Sequence, residues 1–348
     1  MKPSQRLRGL ATAALVTSAA AAALVPMPPA AVERNYSNGL YPSIQRTLTP
    51  LSNLTPFALL DLAGIVLLLL VLSRVVRRAR SQGWKRGLRG AVVTLLRVGA
   101  LIYLLFLAIW GLNYRRVPLE NKLDFDRTRV TAQRVSALAA EAVRRLNGLH
   151  ESAHARTPDR VALAEAFRSA ARTIGPDHRS APGRPKRSLL GLYFRKAAID
   201  GMTDPFFLEV ILNPDLLAIE QPEVLTHEWA HLAGYADESE ANFLAWLTCL
   251  RGDTLAQYSG WLSAYLRASS ALPREMRTAL PRLDEGPRAD LRAIAARYNR
   301  SSTAVRRAAN DVYDTYLKAN RIPEGIASYD EVMKLMLGTT LGSEWNPR

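Results

Sequence analysis

HEWAHLAGYADESEANFLAWL, residues 227–247, decides how this chain is read. Positions four apart on a helix share a face, so His227 and His231 can present both imidazoles to one cation. Glu228 follows the first His and can face a water at that cation as a general base. Pro222 suits a first helical turn, and Gly234 stands where a left-handed cap closes a helix, so the sequence predicts a helix over Pro222–Ala233. The chain has 5 His in all, and two of them sit in this motif. The bland alternative is a surface helix carrying two solvated imidazoles.

Catalytic zinc needs a third protein ligand and an open fourth position. Asp237, Glu238 and Glu240 compete for that role. Asp237 gives HExxHxxGxxD, the metzincin spacing with Asp in place of the third His. Asp237 and Glu240 also have the Asp-x-x-Glu spacing of a capping box, which gives both a structural job and favours Glu238. Asn242 follows Glu238 at i+4, where its side-chain oxygen can orient a ligand imidazole. Only six residues separate His231 from Glu238, so the chain must reverse tightly at Gly234-Tyr235-Ala236.

The chain carries 46 Lys+Arg against 31 Asp+Glu in 348 residues, a formal charge of +15. Residues 1–113 hold 13 of the cations and only two acids, Glu33 and Asp61. Most of the excess therefore lies in a segment that reads as membrane, and nucleic-acid binding loses its main support. Three apolar stretches, Gly9–Val32, Leu54–Ser73 and Ala91–Leu112, approach the roughly 20 residues that cross a hydrocarbon core. The first also fits a cleavable signal peptide. Between the second and third lie Arg74, Arg77, Arg78, Arg80, Lys85, Arg86 and Arg89. These cations put that loop in the cytoplasm and the region after Leu112 outside the cell membrane. Asp61 and Arg97 inside the spans read as residues that reach the headgroups rather than as a relay.

Residues 114–348 are expected to form one mainly helical α+β unit outside the membrane. Helices are predicted at Val130–Leu146, from a Thr157-Pro158-Asp159 start to Gly175, and at Pro222–Ala233, Glu238–Leu250, Thr254–Ala268, Arg288–Tyr298 and Thr303–Ala319. Pro176–Ser188 reads as a loop. Leu189–Phe194 and Phe206–Leu212 read as strands, the second either a substrate-binding edge or an ordinary core strand. The single cysteine, Cys249, excludes a disulfide framework and reads as core. His150, His154 and His178 lie in polar surroundings and read as solvated. No acid follows His150 in the HExxH manner. Tyr235, Tyr258, Tyr316 and Tyr329 are candidate donors to a developing oxyanion, against the competing reading of packing tyrosines. Ser328 and Glu331 have capping-box spacing, which argues against Ser328 as a nucleophile.

HExxH followed by Glu-x-x-Ala-Asn resembles the gluzincin metallopeptidases. That resemblance implies His227, His231 and Glu238 as zinc ligands, Glu228 as the catalytic base, and a zincin-like metallohydrolase fold. A wider resemblance runs through HEWAHLAGYADESEANFLAWL, YSGWL at Tyr258–Leu262, YLKAN at Tyr316–Asn320 and GIASY at Gly325–Tyr329. It points to an uncharacterised bacterial membrane family, domain of unknown function 3810. Its members resemble this chain in carrying N-terminal membrane helices ahead of an HExxH domain. A basic residue is usual there at the position of Asp237, which weakens the metzincin spacing, and Tyr329 lies in a family block. The expectation is a membrane-anchored zinc hydrolase, foremost a peptidase acting on a peptide or protein. A zinc amidase acting on cell-wall peptides and a non-catalytic metal-binding sensor or scaffold are the alternatives.

Overall fold

The computed structural model describes residues 3–175, 180–323, 331–342, 345 and 347. The first apolar stretch forms α1 (Pro3–Leu24). The chain then bends by 113° into α2 (Pro29–Val32), a π-helical turn over Glu33–Leu40, and α3 (Tyr41–Ser52). Helix α3 buries one face against the protein: Tyr41, Gln45, Thr49 and Ser52 are buried at every fourth or third position. Thr49 Oγ1 donates to Leu208 O, and Gln45 Nε2 donates to Ala181 O.

Two helices are long and apolar enough to cross a membrane, within α4 (Leu59–Gln82) and α5 (Trp84–Ile109), or three if α1 and the bent segment after it count as one. At ~1.5 Å per residue, the 23-residue apolar part of α4 reaches ~35 Å, enough for a hydrocarbon core. The cations expected in a loop lie instead on helical ends, and Gly83 (φ +81°) makes the turn between α4 and α5. The apolar runs stop before the helices do, and the helical hydrogen bonds continue for two further turns. Asp61 lies in the first turn of α4, and its carboxylate accepts from Ser188 Oγ and from the Leu189 N–H. Arg97 Nε donates to Thr12 Oγ1 on α1 at 2.7 Å.

Beyond Ile109 the chain is mainly helical. Helix α6 (Ala132–His154) starts at its Thr131 cap and runs two turns past the predicted end. Helix α7 (Arg160–Ile174) is capped by Asp159, whose carboxylate accepts from the N–H groups of Val161 and Ala162. The cap is therefore Asp159 and not Thr157, with Pro158 just outside the helix. A short strand β1 (Pro185–Lys186) precedes α8 (Leu190–Ala197), where a strand was expected. Gly191, Phe194 and Ala197 are buried at helical spacing, while Leu189 and Leu192 point outward, so the apolar run is one helix face and not an alternation. Ala198 closes α8 in the left-handed region (φ +54°).

Strands β2 (Gly201–Asp204) and β3 (Glu209–Leu212) form an antiparallel hairpin, and β1 pairs parallel with β3, giving the order β1-β3-β2. The run Phe206–Leu212 is a strand only from Glu209. The carboxylate of Asp204 accepts from the N–H groups of Phe206 and Phe207 and holds Pro205–Leu208 as a turn. β3 is thus the central strand, and the edges belong to β1 and to β2, whose Gly-Met-Thr-Asp sequence carries no strand signal.

The remaining helices are α9 (Gln221–Leu232), α10 (Glu238–Arg251), α11 (Thr254–Ala271), α12 (Arg274–Thr278), α13 (Glu285–Asn299), α14 (Thr303–Ala319) and α15 (Val332–Gly338). Every residue of α10 from Glu238 to Cys249 is buried. A helix apolar on all sides sits in the core of its domain, and α7, α9, α11 and α15 surround this one. Cys249 lies in that core, where a Cβ on Gly260 of α11 would come within 2.6 Å of its own Cβ.

Candidate metal centre

The reversal between α9 and α10 is a complete Schellman motif. The Tyr235 N–H donates to Ala230 O, the Gly234 N–H donates to His231 O, and Gly234 takes φ +85°. Three donors from the membrane-proximal segments clamp the same corner. Trp110 Nε1 donates to His231 O at 2.9 Å, Tyr41 Oη to Leu232 O at 2.7 Å, and Arg116 Nη1 to Gly234 O at 2.9 Å. Arg116 is buried, makes a two-point pair with Glu33 (2.8 and 2.9 Å), and stacks over the Tyr235 ring. Burial pushes Glu33 up, but Arg116 and then Lys122 outweigh it and hold the carboxylate at about 2. Asp237 then caps α10 by accepting from the N–H groups of Ser239 and Glu240. The carbonyls of His231, Leu232, Gly234 and Tyr235 each find a donor, which lets the chain reverse within six residues.

This corner brings His227, His231 and Glu238 together. The two Nε2 atoms lie 3.0 Å apart, and Glu238 Oε2 lies 3.2 Å from His227 Nε2 and 3.6 Å from His231 Nε2. A triangle with these sides has its corners about 1.9 Å from a common centre, close to the roughly 2.0–2.2 Å at which zinc holds imidazole nitrogen and carboxylate oxygen. A cation bound here would be held by His227, His231 and Glu238. His231 Nδ1 donates to Tyr235 O at 2.8 Å, which turns the Nε2 lone pair inward. Glu238 Oε2 is buried without a hydrogen-bond donor of its own. Burial pushes Glu238 up, but the imidazoles, His231 foremost, hold it well below the usual carboxylate range. Burial pushes His231 down, and the Glu238 charge overrides it and lifts the imidazole to about 9. The three donor atoms share the spacing of a cation-binding set.

The Glu228 carboxylate reaches β2. Its Oε2 accepts from Thr203 Oγ1 at 2.8 Å, and a Cβ on Gly201 would lie 2.5 Å from its Oε1. The bare glycine thus makes room for the carboxylate against the edge strand. Burial raises Glu228 above the ordinary carboxylate value, and His227, His231 and Thr203 only partly offset it.

Asp237 and Glu240 do not face the imidazoles. The capping box forms by half: the Glu240 carboxylate accepts from the Leu119 N–H instead of reaching back to Asp237. Burial pushes Glu240 to about 7, with Asp237 adding to it against Arg116 and Lys122. Asn242 Oδ1 accepts from Arg267 Nη2 at 2.8 Å and orients no imidazole. Of the four tyrosines, Tyr235 packs under Arg116, and Tyr258 donates to Asp290 in a different cluster. Tyr316 lies 3.4 Å from the Tyr114 hydroxyl and against Phe106. Tyr329 lies outside the described residues, as do Ser328 and His178. Sequence reasoning missed Thr203, Trp110 and Tyr313. The Tyr313 hydroxyl, on α14, donates to Glu238 Oε1 and so holds the oxygen that does not face the imidazoles. Tyr313 is one turn before Tyr316 and stacks on it, so the same helical block carried the signal.

Fold and site together define a mainly helical protein with apolar, membrane-compatible helices beside a buried cluster of two imidazoles and a carboxylate. The chain belongs to the family described as protein of unknown function (DUF3810), whose model matches residues 36–337. No curated protein and no solved structure matches the chain.

Proposed function

We propose that this chain is a multi-pass, membrane-anchored zinc hydrolase of zincin-like build, and that its substrate is a polypeptide. The observation that carries the reading is the triangle of His227 Nε2, His231 Nε2 and Glu238 Oε2, with Glu228 beside it on the same helix. Zinc held there supplies Lewis acidity, polarising a carbonyl and acidifying a water. Glu228 takes the proton of the attacking water and delivers it to the leaving nitrogen. Thr203 fixes the carboxylate for both transfers. β2 is one of the two edge strands of this sheet, and an extended peptide laid against it would run past Glu228.

The cations near the N-terminus and around Gly83 orient α4 and α5 so that Ile109 emerges on the outer face. Trp110, the first residue past α5, donates to His231 O and sets its ring edge-on to that imidazole, 6.2 Å between centroids. The centre therefore lies at the membrane surface, which favours chains presented close to the bilayer. The non-catalytic sensor reading draws on one observation: Tyr313 of α14 covers Glu238 from the side. Glu228→Gln separates the two readings. An enzyme keeps its zinc and loses cleavage of a quenched-fluorescent peptide library, whereas a sensor shows no cleavage in the wild type either.

A further inference from the structure

The last turn of α6 carries His150 and His154, and the sequence offers them no acid nearby. The fold supplies one from a distant helix. Asp290 of α13 places Oδ2 3.0 Å from His154 Nε2 and 3.4 Å from His150 Nε2. The two rings are tilted with centroids 4.4 Å apart, and the three donor atoms lie within 4.8 Å of one another. Asp290 is buried and does not swing free, because Tyr258 of α11 donates to the same Oδ2 at 2.5 Å. Gly286, one turn before Asp290, faces His150, and a Cβ there would come within 2.5 Å of the ring. The first turn of α13 thus leaves the space that this imidazole occupies. His154 is exposed, so the cluster has an open side.

We propose that His150, His154 and Asp290 form a second cation site, for a divalent first-row transition metal of the zinc class. Two imidazoles one turn apart and a single carboxylate suit such a borderline cation better than calcium or magnesium, which take mostly oxygen ligands. Tyr258 is the outer partner that orients the ligating carboxylate. The open side leaves room for water in the remaining position. This site joins α13 to α6, which otherwise meet through Asn147, whose side chain bonds Arg282 O and the Asp284 N–H. The bound cation acts as a staple between those helices, and exposure makes its occupancy follow the free metal concentration.

The test is zinc titration of the full chain in detergent after chelation, with bound metal counted per chain. The wild type is expected to bind two ions, and His154→Ala one. His154 is exposed, so its replacement leaves the fold intact, and Asp290→Asn serves as a second variant read against unchanged circular dichroism. His227→Ala/His231→Ala is expected to bind one ion, and adding His154→Ala to it none. A wild type that binds one ion while His154→Ala binds none overturns the HEWAH centre and leaves the present proposal standing. If His154→Ala and Asp290→Asn bind as many ions as the wild type, the second site does not exist.

Discussion

Gly234→Ala probes the corner on which the centre depends. Gly234 sits at φ +85°, where an L-residue costs about 1–2 kcal/mol. A Cβ there also meets Asn113 Oδ1 at 3.0 Å and Tyr41 Cε1 at 3.1 Å, inside ordinary contact distance. Tyr41 is held by its bond to Leu232 O, and Asn113 is buried. The expected loss is about 2 kcal/mol, roughly thirtyfold in the folding equilibrium. The assay is denaturant unfolding of chelated, detergent-solubilised protein. Gly148→Ala is the internal control, since Gly148 is an exposed mid-helix glycine with nothing within 4 Å of its would-be Cβ. That change should stabilise by about 0.5–1 kcal/mol. Because the Tyr235 carbonyl in the same turn accepts from His231 Nδ1, Gly234→Ala should also weaken zinc binding about tenfold. Equal stability for Gly234→Ala and the wild type, with unchanged zinc affinity, would refute the claim that the left-handed corner positions the centre.

Trp110→Phe removes one of the two donors to His231 O, leaving the Gly234 N–H in place, and should cost about 0.5–1.5 kcal/mol in the same unfolding assay. Glu33 has a folded pKa of about 2, below its unfolded value, so its contribution is complete above that unfolded value near 4.5 and is lost as pH falls toward 2. Solvent reaching the pair trims that contribution to about 1–2 kcal/mol, and a stability-versus-pH curve for Glu33→Gln should be flatter across that window. Thr203→Val should keep zinc while lowering kcat about tenfold on any peptide the wild type cleaves, because Glu228 loses the hydroxyl that aims it.

The α9–α10 helix pair was legible because its signals are local. His227 and His231 follow helical spacing, and Gly234 and Asp237 are cap residues at the ends they close. The choice among Asp237, Glu238 and Glu240 was partly legible, through the Asp237 cap that the structure contains. Glu240 was misjudged because its partner, the Leu119 N–H, lies 121 positions away, and no local pattern reports that. The same reason hid Thr203, Trp110 and Asp290, each brought in by chain reversal. Leu189–Phe194 was misread because a short apolar run carries no decisive period when half of it faces outward. The run at Phe206 was misread because Asp204 captures two backbone N–H groups and diverts three residues into a turn.

The central claim is that Glu238, with His227 and His231, holds the ion. Metal content of the purified full chain, measured in a His154→Ala background so that one centre remains, tests it directly. The account predicts one zinc per chain in Glu228→Gln and in Asp237→Ala, and none in Glu238→Ala or His231→Ala. A full complement of zinc in Glu238→Ala, or none in the parent, would contradict it.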